Sequence, residues 1–279
     1  TAGWEANDVK PDTDFDLFYT LSDQAIGVNL LSYWSEADDQ GTFMLLAAPG
    51  IATQQEAVAK DVIFVVDTSG SMETRVSLAR SAAINFLDGL RTDDQVAIYN
   101  FDTKVSLVQE FSNSRDITPM VFELKAYGFT VLNDAIFQAA EELSKRPEKR
   151  RAIIVLSDGA DTKSSKSGDK ALKAALASNA TIYTVDMSSL DTDGKERMQS
   201  QGALKNFAEK SGGKFIAAAG GLELRKAFKN IVEELGVQYT LGYSPTNTAK
   251  DGKWHSIELQ VAKPNLNIRT RKGYNAPKN

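Results

Sequence analysis

Apolar residues recur along this chain with two different periods, and the change from one to the other divides it into a middle and two ends. In the middle, the segments 61–67, 95–101, 104–111, 151–158, 180–187 and 213–219 read as strands. Those at 62–66, 152–156 and 181–185 are apolar almost throughout, as strands covered on both faces of a parallel sheet must be. Between the strands the period lengthens. In 75–91 the residues Val76, Ala79, Ala83, Phe86, Leu87 and Leu90 recur at three and four positions and make one helical stripe. Similar stripes run through 117–126, 132–146, 168–178, 196–211 and 221–235. Strand and helix alternating in this way predict a doubly wound, mostly parallel α/β sheet with helices on both faces.

The ends have a different rhythm. Segments 15–22, 26–34 and 42–48 read as three strands, and 237–244, 254–262 and 267–274 as three more, with polar turns between them. Three strands alone make a poor fold. The ends are therefore expected to pair into one small β-sandwich, with 1–57 as one half and 236–279 as the other. The α/β unit, 58–235, is inserted between them.

Composition narrows the chemistry. The chain has 279 residues, 42% hydrophobic and 25% charged, and a net charge of −5, with no basic stripe. The cation-rich run Lys145 to Arg151 sits at a predicted helix end, where it complements the helix dipole. A nucleic-acid partner is not expected. The chain has no cysteine, which removes disulfides, thiolate metal sites and cysteine nucleophiles. No apolar run is long enough for a transmembrane helix. The first residue is Thr1, so the lack of a signal sequence does not decide the compartment.

In open α/β sheets ligands gather beyond the carboxyl ends of the strands. There the first strand releases Asp67, then Ser69 and Ser71 on alternate positions around Gly70. Thr130 precedes the helix beginning near Leu132, and Asp158 ends a later strand. All five are oxygen donors, which suits a hard six-coordinate cation such as Mg²⁺ or Mn²⁺. Three neutral hydroxyls leave such an ion much of its charge and able to attract a partner's carboxylate.

Other chemistries fit less well. A haloacid-dehalogenase-type phosphatase needs a second acid two residues after the first, and Ser69 stands there. No G-x-S-x-G is present, and the single histidine, His255, falls in an alternating C-terminal strand as an edge or surface residue. No phosphate loop ends in Lys-Ser or Lys-Thr. Asp134 reads as a first-turn helix carboxylate, and Asp161 as a second acceptor near the site or as loop surface. The segments 12–16 and 191–194 read as solvated turns. Tyr239, Tyr243 and Tyr274 read as core or rim of the sandwich.

Three pieces in order, DTSGSM (67–72), the threonine of GFTVLNDAI (128–136) and the SDG of VLSDGADT (155–162), resemble the metal-ion-dependent adhesion site of von Willebrand factor type A domains. The resemblance covers about 58–235. It departs at Phe129, where many bacterial relatives have glycine. The C-terminal segment looks like the tail of bacterial secreted type A proteins, and GTFMLLAAPG (41–50) like the domain preceding type A domains in inter-alpha-trypsin-inhibitor-like chains. The resemblance implies that Ser69, Ser71 and Thr130 ligate directly and that Asp67 and Asp158 ligate directly or through water. It implies Mg²⁺ or Mn²⁺, with Ca²⁺ a further candidate, and a protein partner offering Asp or Glu. The expected function is a non-enzymatic adhesion or scaffold module at an extracellular, periplasmic or cell-surface location. The alternatives are an intracellular assembly subunit of an ATPase-type machine, or a type A fold that has lost metal-dependent binding and keeps a metal-free turn network.

Overall fold

The computed structural model describes residues 26–35, 40–49, 59–113, 126–188, 194–238, 250–261 and 268–276. The chain divides into two compact units, Thr1–Ala57 and Val58–Asn279. In the first, β1 (Ile26–Ser35) and β2 (Gln40–Pro49) form an antiparallel hairpin, with Ile26 opposite Pro49 and Ser35 opposite Gln40.

The second unit is built on six strands: β3 (Lys60–Asp67), β4 (Gln95–Phe101), β5 (Val105–Ser112), β6 (Arg150–Ser157), β7 (Ala180–Asp186) and β8 (Phe215–Ala217). They lie in the order β5-β4-β3-β6-β7-β8. All neighbours are parallel except β4 and the edge strand β5. This is a mostly parallel, doubly wound sheet, as the alternating pattern predicts. The chain winds outward from β3 to β5, then crosses back to lay β6 on the other side of β3. The carboxyl ends of β3 and β6 therefore flank the switch point, where such sheets bind ligands.

The core explains why β3 has no polar alternation. All eight of its residues are buried. Val62, Phe64 and Val66 face α1 (Val76–Asp88) and α5 (Gly221–Gly236), while Ile63 and Val65 face α2 (Leu132–Ser144) and α3 (Gly168–Ala177). On the first face Phe64, Phe86 and Phe228 form a triangle with centroids 5.4 to 5.6 Å apart. Such aromatic contacts add to simple burial. The remaining helix, α4 (Gly194–Ser211), packs chiefly on β7.

The two ends carry short antiparallel sheets of their own. β9 (Trp254–Ser256) pairs with β10 (Gly273–Asn275) in a separate two-stranded sheet, and β1 with β2 in another. The described strands of each end thus pair among themselves, β1 with β2 and β9 with β10. The predicted strands 15–22 and most of 237–244 lie outside the described residues, as does the helical stripe at 117–125. Where the C-terminal segment is described, it is fastened to the α/β unit. Lys272 N–H donates to Lys210 O at 3.2 Å, Arg271 donates to Asn179 Oδ1 at 3.1 Å, and Arg269 pairs with Glu234 near the end of α5. Anchoring of this kind gives a short hairpin the support it lacks alone.

Candidate metal centre

β3 delivers Asp67 to the floor of the switch-point crevice, fully buried. Its Oδ1 accepts the Ser69 N–H at 2.8 Å and its Oδ2 accepts the Ser157 hydroxyl at 2.5 Å. A 3-10 turn, Gly70–Met72, follows and swings Ser71 outward. Ser69 is buried and Ser71 exposed, with their hydroxyls 3.2 Å apart. Ser71 Oγ donates in turn to Asp158 Oδ1 at 2.8 Å. The other oxygen of Asp158 takes Arg75 Nη1 at 3.1 Å. Four of the five predicted residues thus share one chain of contacts, graded from a sealed floor to an open lip.

Thr130 arrives on a separate loop tied to the first through the backbone. Tyr127 N–H donates to Thr68 O at 2.8 Å, and Gly70 N–H to Gly128 O at 3.2 Å. Gly128 has φ +81°, and a Cβ there would lie 2.2 Å from Thr103 Oγ1, so only glycine fits this turn. Thr130 itself is 5% exposed. Gly159 shows how near its hydroxyl comes: a Cβ built there would lie 3.7 Å from both Thr130 Oγ1 and Ser71 Oγ. The structure therefore brings all five sequence-predicted residues to one end of the sheet.

Burial decides the electrostatics. It pushes the Asp67 carboxyl up to about 6, against the lowering pull of its bonds from Ser157 and Ser69. Asp158 is raised as well, by burial first, although its bond from Ser71 and the Arg75 guanidinium act the other way. Of these two desolvated carboxylates, Asp158 is paired with Arg75, and burial of both leaves the site able to accommodate further positive charge. Among the described residues no group of three Asp, Glu or His side chains forms a conventional metal cluster. The donors are two carboxylates and three hydroxyls, a set that fits a hard cation retaining much of its charge. Ser69, Ser71 and Thr130 with Asp67 and Asp158 are the residues that would hold it.

The surrounding residues fix this geometry, and reading the sequence missed several of them. Ser157 is signalled only by standing next to Asp158, and Arg75 by standing one helical turn after Ser71. Asn100 Nδ2 donates to Thr68 Oγ1 at 3.0 Å, across from β4. The loop after Asp158 is fastened to the first turn of α2. Asp161 Oδ2 accepts the Asn133 N–H at 2.8 Å, while Asp134 accepts the Ser165 and Lys166 N–H groups, each at 2.8 Å. Asp161 is thus a positioning residue, and Asp134 receives loop amides as well as lying in the helix's first turn. His255 lies in β9, 3.5 Å from Asp251 and against the ring of Tyr274. Tyr239, Tyr243 and residues 12–16 and 191–193 lie outside the described residues.

Strand order, the switch-point crevice and an all-oxygen donor set define an α/β domain built to present a polar site at the top of its sheet. Residues 62–160 match the family model of the von Willebrand factor type A domain. The chain carries a von Willebrand factor type A domain. It is 32% identical over 136 residues to inter-alpha-trypsin inhibitor heavy chain H4 of Sus scrofa, a match covering 44% of this chain and 14% of that one. The chain thus spans only a small part of that relative's length. Among solved structures it resembles the PilB minor pilin from Streptococcus sanguinis, with a TM-score of 0.53 at 15% identity over 76% of this chain and 78% of that one. It also resembles the von Willebrand factor domain of the type V pili tip protein Mfa5 from Porphyromonas gingivalis. There the TM-score is 0.55 at 14% identity, over 67% of this chain and 99% of that one. At such identities the likeness is one of fold.

Proposed function

We propose that this chain is a non-enzymatic binding module that holds a divalent cation, Mg²⁺ or Mn²⁺, and uses it to engage an Asp or Glu of a protein partner. The observation that carries this reading is geometric: Asp67, Ser69, Ser71, Thr130 and Asp158 meet at the carboxyl end of the sheet, with Asp67 fully buried and its carboxyl raised by that burial. A cation supplies the charge that this floor lacks. The hydroxyls of Ser69, Ser71 and Thr130 complete the oxygen set without neutralising the ion, and the exposed side at Ser71 is where a partner's carboxylate would arrive. The pilus-derived structures that share the fold support an adhesion role at a cell surface or outside the cell. Among the described residues no helix is long and apolar enough to cross a membrane.

A second reading is a metal-free polar network, and the ion pair between Arg75 and Asp158 is what favours it. Titration calorimetry with MgCl₂ and MnCl₂ separates the two. On the first reading the wild-type chain binds a cation with one-site stoichiometry, and Asp67→Ala abolishes the heat while circular dichroism shows an intact fold. Unchanged cation affinity in Asp67→Ala would remove the residue from the site. No heat in either protein favours the metal-free network.

A further inference from the structure

The loop carrying Thr130 also carries two large aromatic side chains into solvent. Tyr127 is 80% exposed and Phe129 52%. Isolated exposed apolar residues are ordinary on protein surfaces. These two are set apart by rigidity and place. The strip between them is held at Tyr127 N–H to Thr68 O, at Gly70 N–H to Gly128 O, and at Phe129 N–H to Thr103 Oγ1, 3.3 Å. Two of these bonds run to the loop bearing Ser69 and Ser71. The turn between the rings needs the positive φ of Gly128. A glycine-dependent turn thus displays aromatic surface beside the site.

A cation stands against this aromatic surface. The whole chain carries −5, yet Lys163 Nζ stands 4.3 Å from the centre of the Phe129 ring. Lys163 belongs to the Asp158 loop, and its N–H donates to Thr130 O at 3.2 Å. The aromatic strip and the ammonium therefore bridge the loops that carry Thr130 and Asp158. An apolar, cationic shelf of this kind complements a segment that is both acidic and apolar. Aromatic residues on a preorganised loop are also the side chains that most often dominate binding energy.

We propose that Tyr127 and Phe129, with Lys163, form a docking shelf for a protein segment in which a bulky apolar residue lies close to the acidic residue that reaches the cation. This rests on the cation-dependent reading of the site. On it, the cation supplies the dependence on metal and the shelf selects among acidic partners.

Random linear peptides displayed on phage, selected on the immobilised chain in MgCl₂ and eluted with EDTA, test this. The expected eluate is enriched in sequences that pair Asp or Glu with Phe, Trp, Tyr, Leu or Ile within a few positions. Individual synthetic peptides from that pool should lose about tenfold or more in affinity for Tyr127→Ser/Phe129→Ser. Calorimetric Mg²⁺ affinity of that variant should match the wild type, which shows that the site and fold are intact. Acidic sequences with no apolar preference, the same preference selected by the double variant, or no enrichment at all would overturn the shelf. An absent Mg²⁺ heat in the wild type marks instead the failure of the cation reading beneath it.

Discussion

Asp67 is an acid sealed at the end of a central strand, and its ionisation reports on what the site needs. Its folded carboxyl ionises at about 6, against its ordinary 3.8. A carboxyl whose folded value is raised favours folding below the unfolded value, and that contribution is lost as pH rises through the folded value. Without a cation, the ionised form at pH 7 therefore costs about 3 kcal/mol relative to pH below ~4. Asp67→Asn removes this titration. In EDTA, urea denaturation should show the wild type losing about 2 to 3 kcal/mol relative to the variant between pH 4 and pH 7. A pH-independent difference would mean that Asp67 is not strained by burial. These carboxylates and hydroxyls were legible in the sequence because strand ends and alternate spacing place them. Ser157 and Arg75 were not. Their roles depend on which strands become neighbours, and β3 and β6 lie far apart in the chain.

At the level of elements, the loop after β6 shows how side chains do the work of secondary structure. Residues 158–167 have no ladder, yet Asp161 and Asp134 collect amides from the loop and from the first turn of α2. Asp161→Ala should cost about 2 kcal/mol, the usual range for hydrogen bonds to a charged acceptor. It should also speed hydrogen exchange of the Asn133 amide in NMR spectra. Unaltered exchange there would show that the helix holds the loop without this residue. Element identity was easiest to read where both faces are buried. β3, β6 and β7 emerge close to their expected limits. β8 shrinks from 213–219 to Phe215–Ala217, and β9 from 254–262 to Trp254–Ser256. An alternating pattern states that a segment suits a strand, but its length depends on a partner that only the tertiary fold supplies.

At the scale of the whole molecule, the α/β unit rests on one sheet with two apolar faces, and the site occupies the pole where its strands end. The triangle of Phe64, Phe86 and Phe228 joins β3 to α1 and α5 in the core of one face. Phe64→Ala should cost about 3 to 5 kcal/mol through lost burial and the cavity left behind. In a unit of this size that lowers the thermal midpoint by about 10 °C in calorimetry. A change of only a few degrees would mean that the helices collapse onto the gap. The α/β architecture was legible because periodicity switches cleanly between strand and helix. The arrangement of the ends was not, since six strand-like segments state no pairing among themselves. The C-terminal hairpin found its support on the α/β unit through a backbone bond, a side-chain hydrogen bond and an ion pair.

The loop that brings Thr130 to the site is fixed through its own main-chain atoms and by Gly128, and the hydrogen bonds that anchor it do not use the side chain of residue 127 or 129. Those two positions are consequently free to vary over generations while Thr130 keeps its place. A lineage could retarget the module by point mutation at the shelf and inherit the oxygen cradle unchanged.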